Sequence, residues 1–291
     1  MSAEAAATAL AGVAATPGVA KPDPILVADG VQRRFGGLVA VDVEHLEVQR
    51  GTITALIGPN GAGKTTFFNL LTGFDRGGEG RCTFDGRDVT RTPPHRRAQQ
   101  GMVRTFQLTK ALARLTVLDN VRLAAPAQPG ERLWSAVLPF TWSGREVEVT
   151  AKAESLLERF KLAALRDEYA GNLSGGQRKL LDMARALMVD PRLVMLDEPM
   201  AGVNPALTQS LLGHVTALRD EGTTVVFVEH DMDVVMSISD WVVCLAEGRV
   251  IAEGPPRAIA SNPAVIDAYL GGHHGEEAVP DPALATEVQP G

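Results

Sequence analysis

An α/β fold built on a parallel sheet is what this sequence predicts, and three stretches predict it. "TITALIGPNGAGKTTFFNLLTG" runs from an apolar strand, Thr52 to Ile57, through a glycine-rich turn into a helix. "RLVMLDEP" and "TTVVFVEHDMDVV" are two further apolar runs, the first ending in Asp197 and Glu198, the second in Glu229 and His230. Continuous apolar runs are typical of strands buried on both faces, as in parallel sheets covered by helices. Ligands of such sheets gather beyond the carboxyl ends of the strands, where each of these runs carries its polar residues.

The chain of 291 residues can bury a substantial core, as one large domain with a subdomain or as two domains. A net charge of −7 argues against a nucleic-acid partner, which calls for a basic excess. Cys82 and Cys244 stand far apart without metal-ligand spacing and read as reduced, packed thiols. No stretch approaches the ~18 apolar residues that a membrane helix needs. Residues 1–23 are rich in Ala but lack the basic start of a signal peptide, and they read as a disordered tail. Residues 272–291, with Pro, Gly and acids and the pair His273–His274, read the same way, leaving one folded domain over 24–271.

The glycine-rich turn "GPNGAGKTT" comprises Gly58, Pro59, Asn60, Gly61, Ala62, Gly63, Lys64, Thr65 and Thr66. Gly58, Gly63, Lys64 and Thr65 meet the pattern G-x-x-x-x-G-K-[ST]. Glycines let the backbone wrap closely round an anion at φ values other residues avoid, and the following helix adds about half a positive charge at its start. This chemistry assigns Lys64 to the β- and γ-phosphates of a nucleotide and the Thr65 hydroxyl to Mg²⁺.

The second run puts Asp197 beside that Mg²⁺, most simply through a coordinated water, with Glu198 able to polarise an attacking water. In the third, His230 is able to hydrogen-bond the γ-phosphate or to hold Glu198, although a lone His is more often structural. "MVRTFQ" reads as a strand ending in Gln107, a neutral group able to ligate Mg²⁺ or orient water. A second cradle is "GNLSGGQRK", Gly171 to Lys179, where Ser174, Gly175, Gly176 and Gln177 precede a helix without a lysine in the loop itself.

These motifs in this order resemble the ATP-binding cassette family, the engines of ABC transporters, over nearly everything from Ile25 to Leu270. "GPNGAGKTT" is similar to its Walker A loop, Gln107 to its Q-loop, "LSGGQ" to its signature, "LVMLDEP" to its Walker B strand and His230 to its switch histidine. The resemblance implies a P-loop NTPase cassette with a RecA-like core, an antiparallel β subdomain and an α-helical subdomain inserted over about 108–190. It implies hydrolysis of Mg-ATP, with Glu198 as the base. It matches Phe35 to the aromatic that stacks on adenine, though an aromatic there could also be core. It implies that two cassettes pair head to tail, so that the second cradle serves the partner's nucleotide.

Between Gln107 and the signature, "TVLDNVRLAA" and "VEVTAKAESLLERF" show apolar residues at helical spacing, as the family's permease-facing subdomain would. The intervening stretch holds Trp134, Phe140 and Trp142, for packing within an insertion or for a permease or membrane surface. "FGGLVAVD", "DEPMAGVNP", "EHDMDVVMSISD" and "NPAVIDAYLG" resemble the cassettes of branched-chain or hydrophobic amino-acid importers. That implies two membrane permeases, a second ATPase, an extracytoplasmic binding protein, and a peripheral location on the cytoplasmic face of the membrane. Asn204 stands where most cassettes carry Asp, as this subfamily often does. A lipid or lipopolysaccharide exporter's ATPase and a soluble, non-transport cassette ATPase acting on ribosomes or DNA are the competing readings.

Overall fold

The computed structural model describes residues 3–105, 112–126 and 143–271. Gln107, the stretch with Trp134, Phe140 and Trp142, and the pair His273–His274 lie outside the described residues.

A short helix α1 (Ala3–Ala9) precedes the hairpin β1 (Pro24–Phe35) and β2 (Leu38–Gln49). Burial alternates along both strands, as it does in an antiparallel sheet with one solvated face. Next come β3 (Ile53–Ile57), helix α2 (Lys64–Thr72), β4 (Glu79–Phe84), β5 (Arg87–Asp88), α3 (Pro94–Gln99) and β6 (Met102–Arg104). The strands β2-β1-β4-β5, in that order, form one sheet.

Helices α4 (Val117–Arg122), α5 (Ser143–Arg159) and α6 (Gly175–Leu187) then intervene before the chain returns as β7 (Leu193–Asp197). Leu180, Leu181, Ala184 and Leu187 of α6 recur at helical spacing and are buried, so one face of that helix makes its packing. The remainder is α7 (Pro205–Asp220), β8 (Thr224–Val228), α8 (Met232–Ile238), β9 (Trp241–Ala246), β10 (Arg249–Gly254), α9 (Pro256–Ala260) and α10 (Pro263–Gly271).

The second sheet has the order β10-β9-β3-β8-β7-β6 and is parallel from β9 to β6, with β10 antiparallel at the edge. All five residues of β3, of β7 and of β8 are buried, so the unbroken apolar runs do mark two-sided strands. Their alternation splits the interior in two. Ile53, Ala55, Ile57, Leu196 and Phe227 pack with the helices, while Leu56, Met195, Val226 and Val243 pack with the antiparallel sheet. Register then fixes the site: Val228 pairs with both Leu56 and Asp197, so β3, β7 and β8 end at the same level.

The N-terminal stretch differs from the disordered tail expected over residues 1–23. Leu10 is buried, and Val13 and Val19 pack on the antiparallel-sheet core. Lys21 Nζ donates to Glu253 Oε2 at 2.8 Å with both side chains almost fully buried, and Trp241 Nε1 donates to the same oxygen at 2.8 Å. The Val19 amide donates to the other Glu253 oxygen at 3.1 Å. A buried carboxylate must be paired and hydrogen-bonded to be tolerated, and this arm supplies the partners from 232 residues away.

Candidate functional site

The loop after β3 is built from glycines in backbone conformations that side chains resist: Gly58, Gly61 and Gly63 have φ of 148°, 78° and 92°. A Cβ on Gly63 would also strike the Ala40 carbonyl. Gly63 is the N-cap of α2 and supplies no side-chain acceptor to its first turn. A helix start has unpaired amides and a positive dipole end, so this turn is suited to an anion. Beside it opens a cavity of about 820 Å³, lined by Asn60 to Thr66, Glu198, Arg34, Leu38 and Arg249. That volume falls within the range of small-molecule sites.

Lys64 folds back into the loop, its Nζ donating to the carbonyls of Gly58 (2.6 Å) and Pro59 (2.8 Å). Burial lowers its pKa, against the raising effect of the Glu198 charge. The ammonium thus sits against neutral carbonyls, where a phosphate would be a stronger acceptor.

Asp197 ends β7 almost fully buried and pairs with Arg104 of β6, Nη2 to Oδ2 at 2.6 Å. The same guanidinium donates to Asn69 Oδ1 at 2.5 Å and to Thr72 Oγ1 at 3.3 Å, both on α2. Arg104 therefore ties the acid to the helix that follows the phosphate loop. Sequence reading passed over Arg104, although it lies three residues before Gln107 in the same quoted stretch.

Glu198 has φ of 46°, a left-handed conformation that costs a non-glycine residue about 1 kcal/mol or more. Its surroundings hold it there. The Glu198 amide donates to the Val228 carbonyl at 3.1 Å. From α6, Lys179 Nζ donates to the carbonyls of Glu198 (3.3 Å), Pro199 (2.8 Å) and Ala201 (2.6 Å). Burial lowers the Lys179 pKa. Lys179 is a second residue missed in the sequence, being the last of the quoted "GNLSGGQRK".

At the end of β8, Glu229 is buried and accepts from the amides of Met200 (2.9 Å) and His230 (3.4 Å). Burial pushes its pKa up. The His230 side chain is two-thirds exposed, its Nδ1 3.7 Å from Glu229 Oε2. Thus the ring of His230 is exposed at the end of β8 rather than packed inside the core.

Ser174 caps α6 through a reciprocal pair: its hydroxyl accepts from the Gln177 amide at 3.2 Å, and Gln177 Oε1 accepts from the Ser174 amide at 2.9 Å. Ser174 and Gly175 are exposed, and a Cβ on Gly176 would collide with the Leu207 side chain. The cavity's described lining does not include residues 174–177. Asn204 caps α7, its Oδ1 accepting from the Leu207 amide at 2.9 Å, a task Asn and Asp perform equally well. Phe35 is half-exposed at the tip of the β1–β2 hairpin, with the Arg33 guanidinium 4.3 Å over its ring, so it is not a core aromatic. Among the described residues no group of three or more His, Cys, Asp or Glu forms a metal cluster.

With loop, lysine, hydroxyl and acids at one sheet edge, the residues present fit a magnesium–nucleotide site. Comparison with known proteins leads to ATP-binding cassettes. The family model described as ABC transporter matches residues 41–201, and one described as branched-chain amino acid ATP-binding cassette transporter matches 249–275. A probable branched-chain amino acid transport ATP-binding protein LivG of Archaeoglobus fulgidus is 44% identical over 252 residues, covering 87% of this chain and 97% of that one. The high-affinity branched-chain amino acid transport ATP-binding protein BraF of Pseudomonas aeruginosa is 41% identical, covering 85% and 98%. A crystal structure of a nucleotide-free ATP-binding cassette from an ABC transporter superposes with a TM-score of 0.73 at 37% identity, covering 84% of this chain and 98% of that one. The ADP conformation of the cassette MJ1267 gives 0.72 at 35%, covering 85% and 99%.

Proposed function

This chain belongs to the ABC transporter family, and from that premise we propose that it is the ATP-hydrolysing subunit of an importer of branched-chain or other hydrophobic amino acids. One observation carries the ATPase reading: the phosphate loop and the acids Asp197 and Glu198 end on the same edge of the sheet, and Glu198 lines the open cavity beside that loop. The cargo reading is supported by the second family match, over 249–275, and by relatives that align along nearly their whole length.

In this reading the loop from Gly58 to Thr66 holds the phosphates through backbone amides, and Lys64 gives up its carbonyl partners to neutralise them. Thr65, Asp197 and Gln107 would hold Mg²⁺, which when bound would supply neutralisation of phosphate charge. Glu198 orients the attacking water and takes its proton. His230 holds the γ-phosphate end of the site, and Phe35 offers its exposed ring to the adenine. Ser174, Gly175, Gly176 and Gln177 serve the nucleotide of a second ATPase subunit, head to tail with this one. Neither arm of such a dimer contacts the cargo, which passes through two membrane permeases fed by an extracytoplasmic binding protein.

The helical insertion carries the exposed apolar side chains Leu123, Val147 and Tyr169, which support it as the permease-facing part. No described helix is long and apolar enough to cross a membrane, in keeping with peripheral attachment at the cytoplasmic face. The test is purification of tagged Glu198→Gln protein from native membranes with ATP and identification of its companions by mass spectrometry. Two permeases and a second cassette are the expected companions, and the wild-type complex assembled from them should show ATP turnover stimulated by a binding protein loaded with leucine or valine. Co-purification of lipid-export subunits, or turnover indifferent to amino acids, would overturn the cargo reading.

A further inference from the structure

Near its C-terminal end the described chain returns to the phosphate loop. Tyr269, on α10, accepts a hydrogen bond through its hydroxyl from the Gly58 amide at 2.9 Å. Gly58 directly follows Ile57, which pairs with Cys244 of β9, and it is buried. A buried amide without a partner is costly, so the tyrosine hydroxyl supplies what the sheet no longer does. The Tyr269 ring packs on the helical-side core, and burial raises its pKa, so the hydroxyl keeps its proton at neutral pH.

Gly58 is held on its other side too. Its carbonyl accepts from Lys64 Nζ at 2.6 Å, and a Cβ on it would collide with the Leu245 carbonyl of β9. The amide is therefore held by the C-terminal helix and the carbonyl by the lysine of the loop. The lysine's hold ends when its ammonium turns to a phosphate, leaving Tyr269 as the side-chain tether. This tether spans 211 residues and joins the segment matched by the general cassette model, 41–201, to the segment matched by the specialised one, 249–275.

We propose that Tyr269 is a positioning residue for nucleotide binding: its hydroxyl fixes the root of the phosphate loop, so that seating of α10 and occupation of the loop favour one another. The proposal rests on the nucleotide reading given above. Coupling of this kind is reciprocal, so nucleotide must protect α10 by the factor by which a seated α10 tightens nucleotide.

The experiment compares the full chain with Tyr269→Phe, which keeps the ring and removes the hydroxyl, and with Tyr169→Phe, a control at an exposed tyrosine. Titration with a fluorescent (MANT) ATP analogue, with and without Mg²⁺, is paired with hydrogen exchange over residues 263–271. Tyr269→Phe is expected to weaken binding about 3- to 10-fold, the loss of one hydrogen bond. Nucleotide should slow exchange in α10 of the wild type and of Tyr169→Phe, but not of Tyr269→Phe. A purely structural tyrosine would change basal exchange yet leave the nucleotide-dependent part intact, and that result overturns the proposal. Equal affinity in wild type and Tyr269→Phe overturns it as well, while leaving the nucleotide reading in place. Failure of the wild type to bind the analogue overturns both.

Discussion

The two helices that follow cradle-like sequences begin in opposite ways. Helix α2 starts at Gly63, which offers no side chain to its first turn, whereas α6 starts at Ser174, locked to Gln177 by hydrogen bonds in both directions. The first start is suited to an anion from outside, and the second is satisfied from within the chain. Lys64 adds a cation to the first, while the second has its lysine, Lys179, one turn further on and turned inward to the carbonyls around Glu198. The contrast teaches that cradles alike in sequence need not do the same work. Under the proposed function, the first would hold this chain's nucleotide, and the second, already satisfied from within, would meet a partner's.

Changes that separate the two cradles should differ in size accordingly. The largest effect is expected from Glu198→Gln, beside the open cradle: turnover should fall about 10²- to 10⁴-fold, the contribution of a positioned general base, with nucleotide affinity unchanged. Hydrolysis near the wild-type rate would remove Glu198 from that role. Next, Lys64→Ala should weaken binding of MANT-ATP about 10- to 100-fold, as loss of a charge-assisted contact does, whereas the same titration of a Ser174 variant should show no change.

On the signature helix, burial pushes Asp182 up to about 6 from 3.8, opposed by Arg185. Between those values the folded state keeps a proton that the unfolded state has released, so this group makes stability fall as pH rises. Its part of the fall is about 2 kcal/mol from pH 4 to 6.5, and urea unfolding of Asp182→Asn should lack it. An unchanged slope would mean that the carboxyl is ionised throughout. The smallest effect is expected from Ser174→Ala, which removes one cap at a cost of about 1 kcal/mol in unfolding.

How legible each feature was followed the distance over which it is encoded. The strands β3, β7 and β8 and the loop between Gly58 and Thr66 are local patterns: an apolar run, then glycines where φ is positive, then a helix. Asp197, Glu198 and His230 could be read because each ends such a run. Arg104 with Asp197 joins residues 93 apart, and Lys21 with Glu253 joins residues 232 apart. Such pairings leave no period in the sequence, which is why the N-terminal arm read as a tail. Lys179 and Tyr269 were in view within quoted motifs, but which carbonyl or amide each would reach depends on how the sheet brings distant turns together.

The division of labour between the cradles is tested most directly by Ser174→Arg in the assembled complex with its second ATPase. Nucleotide labelling of each subunit should be measured alongside turnover at each site. The expected result is that this chain still binds ATP through Lys64, while hydrolysis at the partner's site is lost. Full turnover at both sites, or loss of ATP binding by this chain itself, would contradict the assignment of the second cradle to the partner's nucleotide.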